Sequence, residues 1–181
     1  MGRIVSSFFT TVDGVVESPH EWHFPYFDED MGKIVEGGMQ SSAAFLMGRQ
    51  LYDEWSVFWP AAEADKDFAD FINNLPKYVV STSLTDPGWN NTTVLAPDRA
   101  AVQALKDSVD GDIGMSGCAT TVRWLLEEGL LDELNLLVDP IAVGSGQRLF
   151  EGTARQPLEL VESRTLNTGV LHLRYRPLPR A

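Results

Sequence analysis

Residues 43–52 read Ala-Ala-Phe-Leu-Met-Gly-Arg-Gln-Leu-Tyr, a short apolar run closed by Gly48-Arg49 and followed by a helical turn through Trp55. An apolar run of this length ended by glycine is a strand, and a strand feeding straight into helical sequence is the unit from which α/β sheets are built. The same alternation continues on both sides. Residues 3–12 are rich in Val, Ile, Phe and Thr and stop at Asp13-Gly14, which reads as a strand ending in a turn. From Asp28 to about Ser42, Met31, Ile34, Val35 and Met39 recur at helical spacing behind an acidic start. Residues 61–73 form an amphipathic helix, residues 76–80 and 92–95 two short strands, and Pro97-Asp98 opens a helix that ends near Asp110-Gly111. A strand at 112–115, a helix over 119–128 and an apolar strand over 134–138 follow. Two closing strands, 158–161 and 170–175, meet at the turn Asn167-Thr168-Gly169. The pattern predicts one domain over residues 1–181, with a largely parallel sheet flanked by helices and a mixed edge.

Composition narrows the function. The 181 residues carry a formal net charge of -12, so an extended nucleic-acid surface would work against strong self-repulsion. A local pocket for an anionic small molecule is still open, because a few arginines and helix amides suffice. One cysteine, Cys118, and three histidines at 20, 23 and 172 supply neither a disulfide framework nor a paired zinc spacing, so no metal is expected. No charged leader with an apolar run and no stretch of membrane-spanning length is visible, which makes a cytoplasmic protein without a membrane partner the expectation.

Three strand ends carry the functional signal, since ligands of open α/β sheets bind beyond the carboxyl ends of strands, where helix N-termini offer free N–H groups. Gly48-Arg49 supplies a guanidinium that can fork onto a phosphate. Ser81-Thr82-Ser83 supplies hydroxyls suited to a ribose or its phosphate. Ser116-Gly117-Cys118-Ala119-Thr120-Thr121 is a small-residue turn that lets backbone approach a pyrophosphate. Each also has a plainer reading, as a solvated turn, a cap or a close-packing turn. It is their order along the chain that points to a nucleotide.

That order resembles the dihydrofolate-reductase-like superfamily, and within it the C-terminal reductase domain of the RibD-type riboflavin-biosynthesis enzyme. The resemblance is carried by Thr11-Val12-Asp13-Gly14, Met47-Gly48-Arg49-Gln50-Leu51-Tyr52, Lys77-Tyr78-Val79-Val80-Ser81, Gly129-Leu130-Leu131-Asp132-Glu133-Leu134, and Pro140 with Gly144-Ser145-Gly146-Gln147-Arg148-Leu149-Phe150. It implies a three-layer fold with a mixed, mostly parallel eight-stranded sheet, a homodimer, and an NADPH site. Gly14, Gly48, Arg49 and Gln50 would meet the cofactor. Ser81, Thr82 and Ser83 would sit by the adenosine ribose and its 2′-phosphate, and Ser116 to Thr121 would wrap the pyrophosphate. Three positions depart from the family pattern: Ser116 stands for a glycine, Leu51 for a threonine and Thr82 for an arginine. The last leaves NADH as an alternative to NADPH.

Hydride transfer belongs to the cofactor, while the protein must hold the acceptor and manage one proton. A carboxylic acid with raised pKa is the expected donor, and Asp13 is the first candidate, with an ordinary Asp-Gly turn as its competing reading. Asp28 is the second, against a charged helix N-terminus, and His23 a third. Trp22, His23 and Phe27 would line a pocket for a heteroaromatic ring, or else plug the space under a long loop. Trp55, Phe58 and Trp59 are read as a candidate dimer interface. The expected activity is NAD(P)H-dependent reduction of a pteridine- or pyrimidine-like substrate, the nearest named reaction being that of 5-amino-6-(5-phosphoribosylamino)uracil. Dihydrofolate reduction and a non-catalytic nucleotide-binding module are the alternatives.

Overall fold

A computed structural model describes residues 1–63 and 65–180. In chain order the elements are β1 (Arg3–Thr11), α1 (Glu29–Ser41), β2 (Ser42–Gly48), α2 (Arg49–Phe58), α3 (Lys66–Asn74), β3 (Lys77–Val80) and β4 (Thr92–Leu95). They continue with α4 (Arg99–Ser108), β5 (Asp112–Ser116), α5 (Ala119–Glu127), β6 (Glu133–Asp139), β7 (Leu158–Thr165) and β8 (Leu171–Pro177). The strands form one sheet in the order β4-β3-β2-β5-β1-β6-β8-β7, and only β8 runs antiparallel to its neighbours.

The apolar run that begins in β2 is continuous because both faces of that strand are covered. Ala44 and Leu46 pack with Ile4, Phe8, Ile113 and Leu134 under Val102, Leu105, Val122 and Leu125 of α4 and α5. Phe45 and Met47 point the other way, into a cluster with Tyr52, Ile72, Val79 and Trp89. A third cluster on that second face, Met31, Leu137, Leu166 and Val170, seats α1. The second and third clusters stay separate, and a cleft of about 460 Å³ lies between α1 and α3.

One expectation is corrected. The helix read over 61–73 begins only at Lys66, because Trp59–Ala61 form a 3-10 turn around Pro60, and Ala64 lies outside the described residues. Trp55 and Trp59, two of the three aromatics read as a candidate interface, are half-buried. They pack edge to face at 5.8 Å and join the cluster around Tyr52, leaving Val57 and Phe58 as the exposed apolar pair.

The amino edge of the sheet is fastened by two buried lysines. Lys77, at the start of β3, donates from Nζ to the carbonyls of Ile72 (2.8 Å), Leu75 (2.9 Å) and Asn73 (3.2 Å), closing the end of α3. Its ammonium also sits 4.6 Å over the Trp89 ring. Lys106 donates to Leu130 O (3.0 Å) and Asp132 Oδ2 (2.6 Å), and the same carboxylate oxygen accepts from Ile4 N at 2.7 Å. Burial pushes the Lys77 pKa down to about 8 from 10.5. Between those values the unfolded chain holds the extra proton, so stability from this group rises with pH across that window. Lys77→Met leaves the helix-end carbonyls unmet, and chemical denaturation should show a loss of about 3 kcal/mol at neutral pH. The rise in stability above pH 8 should vanish with it.

Candidate active site

Strands β2 and β5 are neighbours, and each passes directly into a helix at its carboxyl end. The N-termini of α2 and α5 therefore stand side by side, close enough for Gly48 N to donate to Cys118 Sγ at 3.2 Å. Gly48 and Cys118 are the two N-cap residues, and among the described residues no side chain caps either helix. Their first-turn N–H groups, with the positive ends of two helix dipoles, lie side by side at the same sheet edge. A Cβ at position 48 would overlap Thr121 Oγ1, so a larger residue there requires that side chain to turn away. At Gly117 the backbone imposes the requirement, with φ +71°, and Cys118 follows at φ +33°.

The phosphate-end residues predicted from the sequence come together here. Arg49 places Nη1 3.3 Å from Ser83 Oγ and holds Nε 2.7 Å from Asp53 Oδ1, so it bridges the carboxyl ends of β2 and β3. Ser81 Oγ accepts from the amides of Ser83 and Leu84, both at 3.1 Å, and thereby shapes that turn. Thr82 and Thr120 are exposed, Ser116 and Thr121 half-buried, and Ala119 packs into the core under α5. Gln50 turns to solvent and reaches Glu54 Oε1 at 3.4 Å, away from the paired N-termini. Leu51 packs against Gly117 and the aromatic cluster, so no hydroxyl is offered there. Burial pushes the Cys118 thiol up to about 12, which makes it a neutral packing residue and not a nucleophile.

The acid candidates are placed differently. Asp13 Oδ1 accepts from Thr11 Oγ1 at 2.6 Å and from Val143 N at 3.3 Å, while Oδ2 accepts from Gly144 N at 2.9 Å. Arg148 adds Nε to Asp13 O at 3.0 Å. The Thr11 hydroxyl, followed by the Gly144 and Val143 amides, holds this carboxyl below the usual aspartate range. The work of Asp13 is to clasp the segment 141–148 onto the end of β1, beside Gly14 at φ +82°. Asp28 is the N-cap of α1, accepting from Met31 N at 2.9 Å, which spends one carboxylate oxygen on the helix.

Of the three ring-binding candidates, Phe27 alone lines the cleft beside α1. Trp22 is buried and donates from Nε1 to Glu17 O at 3.1 Å, plugging the loop. His23 is buried too, stacked on Phe9 with ring centroids 3.7 Å apart, and its Nδ1 lies 2.9 Å from Asp139 Oδ2. Neither Asp139 nor Phe9 stands out in the sequence. The available signal is an acid directly before Pro140, at the carboxyl end of a strand otherwise apolar from 136 to 138.

This sheet order and paired-helix edge define an α/β protein of the dihydrofolate-reductase-like fold. The solved structures agree. A protein assigned to riboflavin biosynthesis from Shewanella sp. PV-4 superposes with a TM-score of 0.75 at 19% identity, over 99% of this chain and all (100%) of that one. A pyrimidine reductase-like protein from Corynebacterium diphtheriae gives 0.69 at 13% identity, over 99% and 93%. Dihydrofolate reductase from Enterococcus faecalis, complexed with NADP(H), gives 0.65 at 15% identity, over 97% and 96%. Among curated proteins, the uncharacterized protein YyaP of Bacillus subtilis (strain 168) is 28% identical over 180 residues, 96% of this chain and 94% of its own. The model of the RibD C-terminal domain matches residues 3–172, and the chain belongs to that family.

Asp13→Asn tests the clasp. The variant should keep its fold while the amides of Val143 and Gly144 exchange hydrogen faster than in the parent protein. Because the folded carboxyl sits below its ordinary value, its share of stability is complete above the aspartate range and is lost as pH falls through the lowered value. The Asn variant should lack that acid-side loss.

Proposed function

We propose that this chain is an NADPH-dependent reductase of a small heterocyclic substrate. The observation that carries the reading is the pair of uncapped helix N-termini of α2 and α5, with Arg49 reaching across to Ser83. The residues fit a dinucleotide: Gly48 lets Thr121 pack against the backbone, Gly117 turns the backbone aside, and the two N-termini supply donors that no cap takes up. Arg49 at the Ser81–Ser83 turn provides the cation that a 2′-phosphate wants, which favours NADPH although Thr82 is not an arginine. When bound, the cofactor would supply the hydride, and the protein would orient the acceptor and exclude water.

The cleft between α1 and α3 suits the acceptor. Its walls are apolar, with Phe27, Val35, Met39 and Phe68, and its charged lining residues are Glu36, Asp65 and Asp67, all acids. Lys33, nearby on α1, is tied to Glu29 at 2.7 Å. An acid-rimmed apolar cleft favours an uncharged ring over a phosphoribosylated pyrimidine or the carboxylate tail of a folate. Reduction of 5-amino-6-(5-phosphoribosylamino)uracil is an activity of the bifunctional deaminase/reductase from Thermotoga maritima, of which this chain covers 57%. It is the second reading, and the acid rim counts against it.

Titration with NADPH should quench tryptophan fluorescence and raise the melting temperature. Arg49→Ala should weaken NADPH about tenfold while changing NADH affinity little, a difference of roughly 1.4 kcal/mol. The reductase reading fails if neither nucleotide quenches or stabilises the wild-type protein. In steady-state assays of NADPH oxidation, uncharged dihydropterin should outcompete the phosphoribosylated pyrimidine as acceptor, and the reverse order would overturn the assignment of the cleft.

A further inference from the structure

Two polar atoms near the carboxyl edge are buried without a hydrogen-bond partner among the described residues: His23 Nε2 and Asp139 Oδ1. They belong to one pair, joined through His23 Nδ1 and Asp139 Oδ2 at 2.9 Å, with side chains only 4% and 0% exposed. An unmet buried donor or acceptor costs about 1–3 kcal/mol, so a pair that carries two of them is a poor structural fastener. The two lysines of the amino edge show the contrast, since both have their donors taken up by carbonyls or a carboxylate.

The surroundings fix what the pair can do. Phe9 of β1 stacks on the imidazole, and Trp22, Phe24 and Phe27 of the loop enclose it. Asp139 of β6 is the one charged group in contact with the ring among the described residues. With the carboxylate on Nδ1, that nitrogen carries the proton in the neutral ring and Nε2 is the atom left for exchange. Asp139 pairs in register with Thr11, at the same sheet edge as the helix N-termini. Phe27 meets the imidazole edge-on at 5.5 Å and is itself a wall of the cleft, so this exposed ring touches both the buried pair and the cleft.

We propose that His23 is the proton donor of the reduction and that Asp139 is its positioning residue. The proposal rests on the reductase reading above, with reduced nicotinamide as the two-electron donor. Hydride adds to the carbon of a ring C=N bond and forms a C–H bond. The π pair moves to nitrogen, which takes the proton from Nε2 of the imidazolium to form N–H. The nicotinamide is oxidised, the ring is reduced by two electrons, and neutral His23 regains its proton from water. Asp139 orients the imidazole through its contact with Nδ1. Contact between the acceptor and Nε2 requires the exposed Phe27 ring to swing aside, which would open the buried pair to the cleft.

The experiment uses the full chain, with pterin as the ligand probe and dihydropterin as the acceptor. Nitrogen-15 NMR of the wild-type imidazoles should show His23 protonated at Nδ1 when neutral and taking up a proton at Nε2 on acidification. Its Nε2 resonance should move on addition of pterin. In Asp139→Asn the neutral ring should no longer hold its proton on Nδ1 alone, and kcat should fall with KM little changed. His23→Gln should bind NADPH as the parent does and oxidise it at least about a hundredfold more slowly. Full turnover with an unchanged pH profile in His23→Gln overturns the proposal. So does a wild-type His23 whose Nε2 never takes up a proton and ignores pterin, a result that decides the matter even if His23→Gln does not fold. Loss of the reductase reading itself is read separately, from wild-type NADPH titration by tryptophan fluorescence.

Discussion

The parallel pairing of β1 with β5 on one side and β6 on the other is the constraint from which the molecule's asymmetry follows. Parallel neighbours cannot be joined by tight turns, so each needs a crossover, and every crossover leaves from the same edge of the sheet. That edge collects the helix starts of α2 and α5, the Asp13 clasp and the His23–Asp139 pair. The opposite edge collects strand starts and helix ends, whose free carbonyls attract cations, and there Lys77 and Lys106 are buried with partners. One edge is closed chemically and the other is open.

The fold is legible in the sequence because its strands are buried on one or both faces and its helices carry apolar stripes. The β2 run, the Asp13-Gly14 stop and the Asp98 cap of α4 each have a local cause visible in a few residues. Strand β7 reads too short for the converse reason. Only Leu158 of its residues is as much as half-buried, so residues 162–165 show no apolar alternation. Hydrogen bonding to β8 carries it on, with Glu162 paired to Arg174 of β8 at 2.6 Å, while Arg164 reaches Asp30 of α1 at 3.2 Å.

The site divides along the same line. Arg49, Ser83 and the turn at Gly117 can be found because a strand end followed by a helix is a local pattern. Asp13 cannot be resolved locally, since an Asp-Gly turn and a catalytic acid look alike until the segment 141–148 folds back 130 residues later and occupies the carboxylate. His23 is paired across 116 residues with an acid that sits behind an apolar run, and no spacing rule connects them. Contacts of this range are set by strand order, which periodicity does not determine.

Charge ties these observations together. A protein of net charge -12 repels phosphates in general, so an anionic cofactor must be drawn in by short-range donors rather than by the overall field. Two aligned helix N-termini and one arginine are a concentrated source of that kind, effective within a few ångströms and nearly invisible beyond the screening length. The acids around the cleft between α1 and α3 act over the same short range with opposite sign. On the proposed reading, sites so arranged would discriminate against each other's ligands without any steric gate: acids around the cleft disfavour phosphates, and a neutral ring gains nothing at the helix N-termini. The acidity that argues against an extended phosphate surface would then also be part of how the two sites are told apart.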